Sequence, residues 1–143
     1  FCDFVYATPR SKFADPHVSV GLVAGDGGCV IWPQLIGFAR AKKYLLTGEM
    51  IKADDALNMG LIAEVFEEDK IDQEVQALAE KLRDGAKYSI RWTKTSINAG
   101  LKVMANSIID RAAAFENVTQ LMEDHKIALE AFAKKESPKF KQK

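Results

Sequence analysis

Phe13 to Pro33 reads FADPHVSVGLVAGDGGCVIWP, and the rest of the chain is organised around this stretch. His17 and Asp26 stand nine positions apart, with Gly21, Gly25, Gly27 and Gly28 between and just beyond them. Glycines reach backbone conformations closed to other residues and let chain or ligand approach closely. Fully extended, nine residues would hold the imidazole and the carboxylate about 30 Å apart, so the two share a pocket only if the chain folds back. GDGGCVIWP reads as a helix start, with Asp26 able to cap and the amides of Gly27 and Gly28 left free by the geometry of helix ends. Two readings stand side by side. In one, Asp26 orients His17 for proton transfer. In the other, Asp26 is only an N-cap and His17 only a loop or core histidine.

Upstream, Phe4 to Ala7 is short, apolar and partly aromatic, as a buried strand is, and Thr8-Pro9-Arg10-Ser11 is a turn. Lys12 to Ala14 predicts a second short strand, stopped at Asp15-Pro16 because proline restricts the residue before it. Downstream, a helix is expected from Gly28 to Ile36, short or restarting at Pro33. Helices follow over Ala39–Leu46 and Ala53–Met59, then a strand over Leu61–Phe66. Asp54 and Asp55 in a first turn and Gly60 past the end suit the helix dipole and the C-terminal cap.

After Glu67-Glu68-Asp69-Lys70 the character changes. Ile71, Val75, Leu78, Ala79 and Leu82 repeat at helical spacing up to Asp84-Gly85. Tyr88 to Ala99 predicts a helix ending near Gly100, and Val103 to about Lys135 a long helical stretch broken near Asp124-His125. A mixed segment, residues 1–67, thus precedes an all-helical one, residues 71–143. No internal repeat and no low-complexity tract interrupts them.

The chain has 143 residues, 48% of them hydrophobic and 28% charged, which suits one soluble domain with a core of its own. Twenty basic and twenty acidic side chains cancel, so nothing marks nucleic acid or an anionic membrane as a partner. No run of about 18 apolar residues offers a membrane span. Cys2 and Cys29 are too few for a disulfide scaffold and read as small buried hydrophobes in a reducing, cytoplasmic setting. Trp32 and Trp92 read as packing residues, and His125 as a helix-surface residue. The opening at Phe1, with no cap or turn before what reads as a strand, is that of a C-terminal piece of a longer protein.

CDFVYA, KFADPHVSVGLVAGDGG and LIGFARAKKYLLTGEMIKADDALNMGLIAEV resemble the second half of a crotonase-superfamily protein, the enoyl-CoA hydratase/isomerase family. The likeness covers nearly the whole chain and is most specific from Leu45 to Val65. It implies an α/β fold: the end of a ββα spiral over residues 1–67, then an all-α oligomerisation segment over 71–143 that packs in trimers or pairs of trimers. It implies an enzyme acting on an acyl-CoA thioester through an enolate held in an oxyanion hole. Coenzyme A would enter as part of the substrate, with no separate cofactor and no metal. The upstream half would supply the oxyanion N–H groups and a first catalytic glutamate. Where typical hydratases of the family keep a second glutamate, this chain has His17.

The His17/Asp26 pair is similar instead to that of the β-diketone hydrolases of the same superfamily, which cleave carbon–carbon bonds by a retro-Claisen reaction. That likeness also places a carboxylate at Glu116, which helical position alone would make a solvated surface residue. The C-terminal AFAKK, with Phe132 and Lys135, resembles the segment where an aromatic and a lysine reach the nucleotide of coenzyme A, and the other reading is a basic tail that touches nothing. Three functions follow: an enoyl-CoA hydratase or isomerase using His17 as its acid/base group, a β-diketone hydrolase using His17 and Asp26 on a small carbonyl substrate, or a non-catalytic oligomerising relative.

Overall fold

In the computed structural model, which describes residues 1–140, contacts group the chain into two compact units. The first comprises residues 1–13 and 51–105, the second residues 14–50 and 106–143.

In the first unit β1 (Tyr6–Ala7) pairs in parallel with β4 (Glu64–Val65), Tyr6 opposite Glu64 and Ala7 opposite Val65. β2 (Lys12–Phe13) pairs antiparallel with β3 (Ile51–Lys52), Phe13 opposite Ile51. All four strands have two residues, so the runs expected at 4–7, 12–14 and 61–66 are strand only in part. The turn is as its sequence predicts: the amide of Ser11 donates to the Thr8 carbonyl at 2.9 Å, and the Thr8 amide donates to Ser11 Oγ at 3.1 Å. α3 (Ala53–Asn58) carries Asp54 and Asp55 in its first turn. Ala7, Ile51, Ala53, Ala56, Leu61 and Ile62 form the buried core of this unit.

α4 (Ile71–Asp84) has no fully buried residue, and its apolar side lines a groove of about 380 Å³ with Phe4 and Tyr6. α5 runs unbroken from Lys87 to Gln120, through the Gly100 expected to end it. One glycine in a helix interior costs only about 1 kcal/mol, and Ala99, Leu101 and Lys102 beside it are good helix formers. Residues 91–100 are all exposed. Trp92 is therefore not packed into the core of this chain: it is 67% exposed, and its ring lies beside that of Tyr88, 5.6 Å between centroids. Cys2 is also exposed, against expectation.

The second unit holds a 3-10 turn (His17–Val20), α1 (Gly28–Ile36), α2 (Phe38–Thr47), the later part of α5 and α6 (Glu123–Ala133). Pro33 lies inside α1 without breaking it, the chain remaining helical up to Gly37. Val30 and Ala41 are fully buried and Ile36 and Leu45 nearly so, where α1 packs on α2. Full burial of a Val or Leu side chain stabilises by about 1.5–3 kcal/mol. The break in the C-terminal helices falls at Leu121–Met122, so His125 lies in the first turn of α6.

Candidate active site

The loop from Asp15 to Gly28 is held by backbone and side-chain bonds to the two C-terminal helices of its own unit. The Val23 amide donates to Thr119 Oγ1 at 3.2 Å, and His125 Nδ1 lies 2.8 Å from the Val20 carbonyl. His125 is therefore half-buried against the loop rather than a surface residue. Gly21 has φ 70°, a left-handed conformation that only glycine adopts without strain, and it lies against the backbone of Asp124 and His125. These contacts fold the chain back, as pairing of His17 with Asp26 requires.

His17 stands at the start of the 3-10 turn, its side chain 20% exposed. Its Nδ1 lies 2.6 Å from Asp15 Oδ1, and that same oxygen accepts the His17 backbone N–H at 3.3 Å. On the other side of the ring, Nε2 lies 3.8 Å from Asp26 Oδ2 and 3.9 Å from Glu116 Oε1. Both separations exceed hydrogen-bond range. Asp26 is thus near His17, as the spacing suggests, but the carboxylate that bonds the ring is Asp15. Asp26 caps nothing either: the N-cap of α1 is Gly27, no side chain bonds the helix end, and the Asp26 side chain is 67% exposed. Glu116, placed on the helix surface by its position alone, is only 19% exposed and faces the imidazole.

Asp15 is the residue that sequence reasoning passed over. It is 7% exposed, and it is the buried charged residue of the described core. A signal existed: a carboxylate two residues before a histidine, with a proline between, can reach both the ring and the backbone N–H. Two glycines make room for the acids. A Cβ on Gly28 would collide with Asp15 Oδ2, and one on Gly25 would meet Glu116.

The electrostatics follow from this geometry. Partial burial opposes a charge on His17, but the hydrogen bond its ring makes to Asp15 and the negative charges of Asp15, Asp26 and Glu116 outweigh it, so the pKa is raised above 6.5. The Cys29 thiol is also pushed up, by burial first and then by Asp15 and Asp26. Asp15, His17 and Asp26 bring donor atoms within 4.8 Å of one another. Within this group Asp15 Oδ1 and His17 Nδ1 are directed at each other, 2.6 Å apart. Phe132, in the last turn of α6, is 80% exposed, and Lys135 just beyond it is exposed with φ 59°.

Comparison with known proteins adds the following. The family model described as enoyl-CoA hydratase/isomerase matches residues 1–143. A short-chain-enoyl-CoA hydratase of Clostridioides difficile is 37% identical over 109 residues, 76% of this chain and 70% of that protein. The solved structure of an enoyl-CoA hydratase/isomerase from Pseudoalteromonas atlantica superposes with a TM-score of 0.91 at 29% identity, over 98% of this chain and 56% of that one. A β-diketone hydrolase from the cyanobacterium Anabaena, bound to (S)-3-oxocyclohexyl acetic acid, superposes with a TM-score of 0.78 at 27% identity, over 87% and 48%. The chain spans about half the length of most of the relatives it matches. Among the described residues no helix is long and apolar enough to cross a membrane.

Proposed function

We propose that this chain, which belongs to the enoyl-CoA hydratase/isomerase family, carries the proton-transfer group of an enzyme acting on an acyl-CoA thioester, and that this group is His17. The observation that carries the reading is a half-buried imidazole with one nitrogen hydrogen-bonded at 2.6 Å and the other free of hydrogen bonds beside two carboxylates. A thioester carbonyl acidifies the carbon next to it, and addition to the conjugated double bond passes through an enolate. Nε2 of His17 can take a proton from water or carbon and return it, while Asp15, Asp26 and Glu116 stabilise the imidazolium that forms between the two steps. Asp26 acts here through its charge. The oxyanion hole is assigned to no residue of this chain.

Phe132 and Lys135 are the proposed contacts for coenzyme A. They are exposed at the end of α6, and a lysine suits a phosphate as a point charge. Assembly as a trimer, or a pair of trimers, is supported by apolar side chains left in solvent: Tyr88, Trp92, Ile97 and Val103 are each more than 60% exposed. A reducing cytoplasm is the setting in which Cys2 and Cys29 stay free thiols.

One observation favours a second reading, hydrolysis of a β-diketone. Three carboxylates around His17 and none at its own position resemble an activated-water site more than a pair of glutamates. In that reaction Nε2 takes a proton from water, the hydroxide adds to a ketone carbonyl, the adjacent carbon–carbon bond breaks, and the enolate that leaves takes the proton back. The Anabaena hydrolase supports this reading as the more distant neighbour.

The test is turnover by the intact protein of a short enoyl-CoA and of a cyclic β-diketone, with and without His17→Ala. Hydration or isomerisation of the enoyl-CoA, lowered by about 10²- to 10⁴-fold in the variant, is the expected result. Turnover of the diketone alone establishes the second reading. Turnover of neither, by a folded protein, leaves the non-catalytic oligomer. As a base, Nε2 must be unprotonated, so the rate falls as pH drops through the raised His17 pKa.

A further inference from the structure

We propose that Asp15 is the positioning residue of this site: by accepting the Nδ1–H of His17 it fixes the tautomer whose Nε2 lone pair is presented to the reacting atom. The inference rests on the reading of His17 as the proton-transfer group and replaces Asp26 as its orienting partner.

The geometry separates the two acids. Asp15 Oδ1 lies 2.6 Å from Nδ1, while Asp26 Oδ2 is 3.8 Å from Nε2. Asp15 is 7% exposed and Asp26 has 67% of its side chain in solvent. A charge-assisted hydrogen bond away from water is stronger and better aligned than an exposed charge across a gap. Asp15 Oδ1 also accepts the His17 backbone N–H, so ring and main chain are fixed to one atom. Pro16 between them removes one degree of freedom from the connecting chain. On the other side of Asp15, Gly28 leaves the space that Oδ2 occupies.

A carboxylate can only accept a hydrogen bond. The proton of the neutral ring is therefore held on Nδ1, and Nε2 is left as the base. The groups facing the ring are Asp15 from the loop before it, Asp26 from the loop after it and Glu116 from α5. All three are acids, so each favours the imidazolium, but only Asp15 is placed to choose between the two neutral tautomers.

Ring nitrogen shifts of His17, measured by NMR on the intact protein above its pKa, test this without any substitution. The expected result is a protonated Nδ1 and an unprotonated Nε2, and the opposite tautomer overturns the proposal. In Asp15→Asn the side-chain amide can donate to Nδ1, so the tautomer should switch and the His17 pKa should fall. kcat should drop by about 10²-fold or more, with KM little changed. Asp26→Asn should lower the pKa without switching the tautomer. A purely structural role for Asp15 moves stability and leaves the tautomer and the pH profile of the folded fraction as they were, and that outcome also overturns the proposal. If His17→Gln turns over normally while Asp15→Asn still switches the tautomer, the proton-transfer reading is what fails.

Discussion

Gly25 lies against Glu116 with no room for a side chain: a Cβ at residue 25 would stand 2.5 Å from Glu116 Oε2 and 2.6 Å from the Ala112 carbonyl oxygen. The loop is therefore seated on α5 by the absence of an atom. Gly25→Ala must push the helix or the glutamate aside, and overpacking of this kind costs about 1–3 kcal/mol. We expect a lower urea midpoint for Gly25→Ala, together with a fall in the His17 pKa as Glu116 moves away. An unchanged midpoint would show that the loop yields without cost.

The raised pKa of His17 ties stability to pH in a defined direction. The folded state holds the proton more tightly than the unfolded chain, so this group contributes stability that is fully present below its unfolded pKa of about 6.5. That contribution is lost as pH rises through the higher folded value. Urea midpoints measured from about pH 6 to pH 8.5 should show this decline, and His17→Gln should remove that component of the slope.

Asp26 makes no cap bond to α1, and Gly27 holds the N-cap position. Asp26→Asn should therefore leave stability within about 0.5 kcal/mol of the parent, as surface changes away from such features do. A cap residue would cost about 1 kcal/mol. The expected effect is electrostatic instead: the His17 pKa falls, and the low-pH limb of the rate profile shifts with it. Thermal denaturation and the pH–rate profile separate the two.

Lys135 has φ 59°, a left-handed conformation that costs a residue with a Cβ about 1–2 kcal/mol. Lys135→Gly relieves that strain and removes the charge. We expect a more stable protein that binds coenzyme A more weakly, by about 1 kcal/mol at low ionic strength and by less at high salt. Unchanged binding at low salt would remove Lys135 from the ligand contacts.

The apolar side chains exposed along α4 and α5 have an assembly-level test. Sedimentation of the intact protein at micromolar concentration should show a trimer or a pair of trimers, and Trp92→Glu should weaken it. A monomer would overturn the proposed assembly.

Periodicity locates the helices well: the apolar repeat of α4 stops at Gly85, and Gly37 follows the last residue of α1. It fails at Gly100, a weak helix former that lies inside α5 rather than at its end, whereas the helix expected over Gly28–Ile36 forms with Pro33 inside it. Neighbouring good helix formers and packing against α2 override such single defects. The strands were overestimated because hydrophobic runs mark burial, whereas strand pairing needs a partner, and each of these pairs has two residues a side. At the site, His17 and its proximity to Asp26 were legible from spacing and glycines. Asp15 was missed because its proline context explained it as a strand stop, and the approach of Glu116 depends on a helix distant in sequence. Trp92 reads as a packing residue from its aromatic character alone, and that character does not say which surface the ring meets.

The bonds that hold the loop join residues 96 and 105 positions apart, Val23 with Thr119 and Val20 with His125. The Asp15–His17 pair, by contrast, spans two positions. Closing a chain over about a hundred residues carries a large entropic cost before any contact is made, whereas a two-residue link carries almost none. The Asp15–His17 pair can therefore form early in folding as a local turn, and Glu116 can join it only once the C-terminal helices have docked. Acquisition of the fully shifted histidine is thus a late event, and its titration during refolding would report when the last helices arrive.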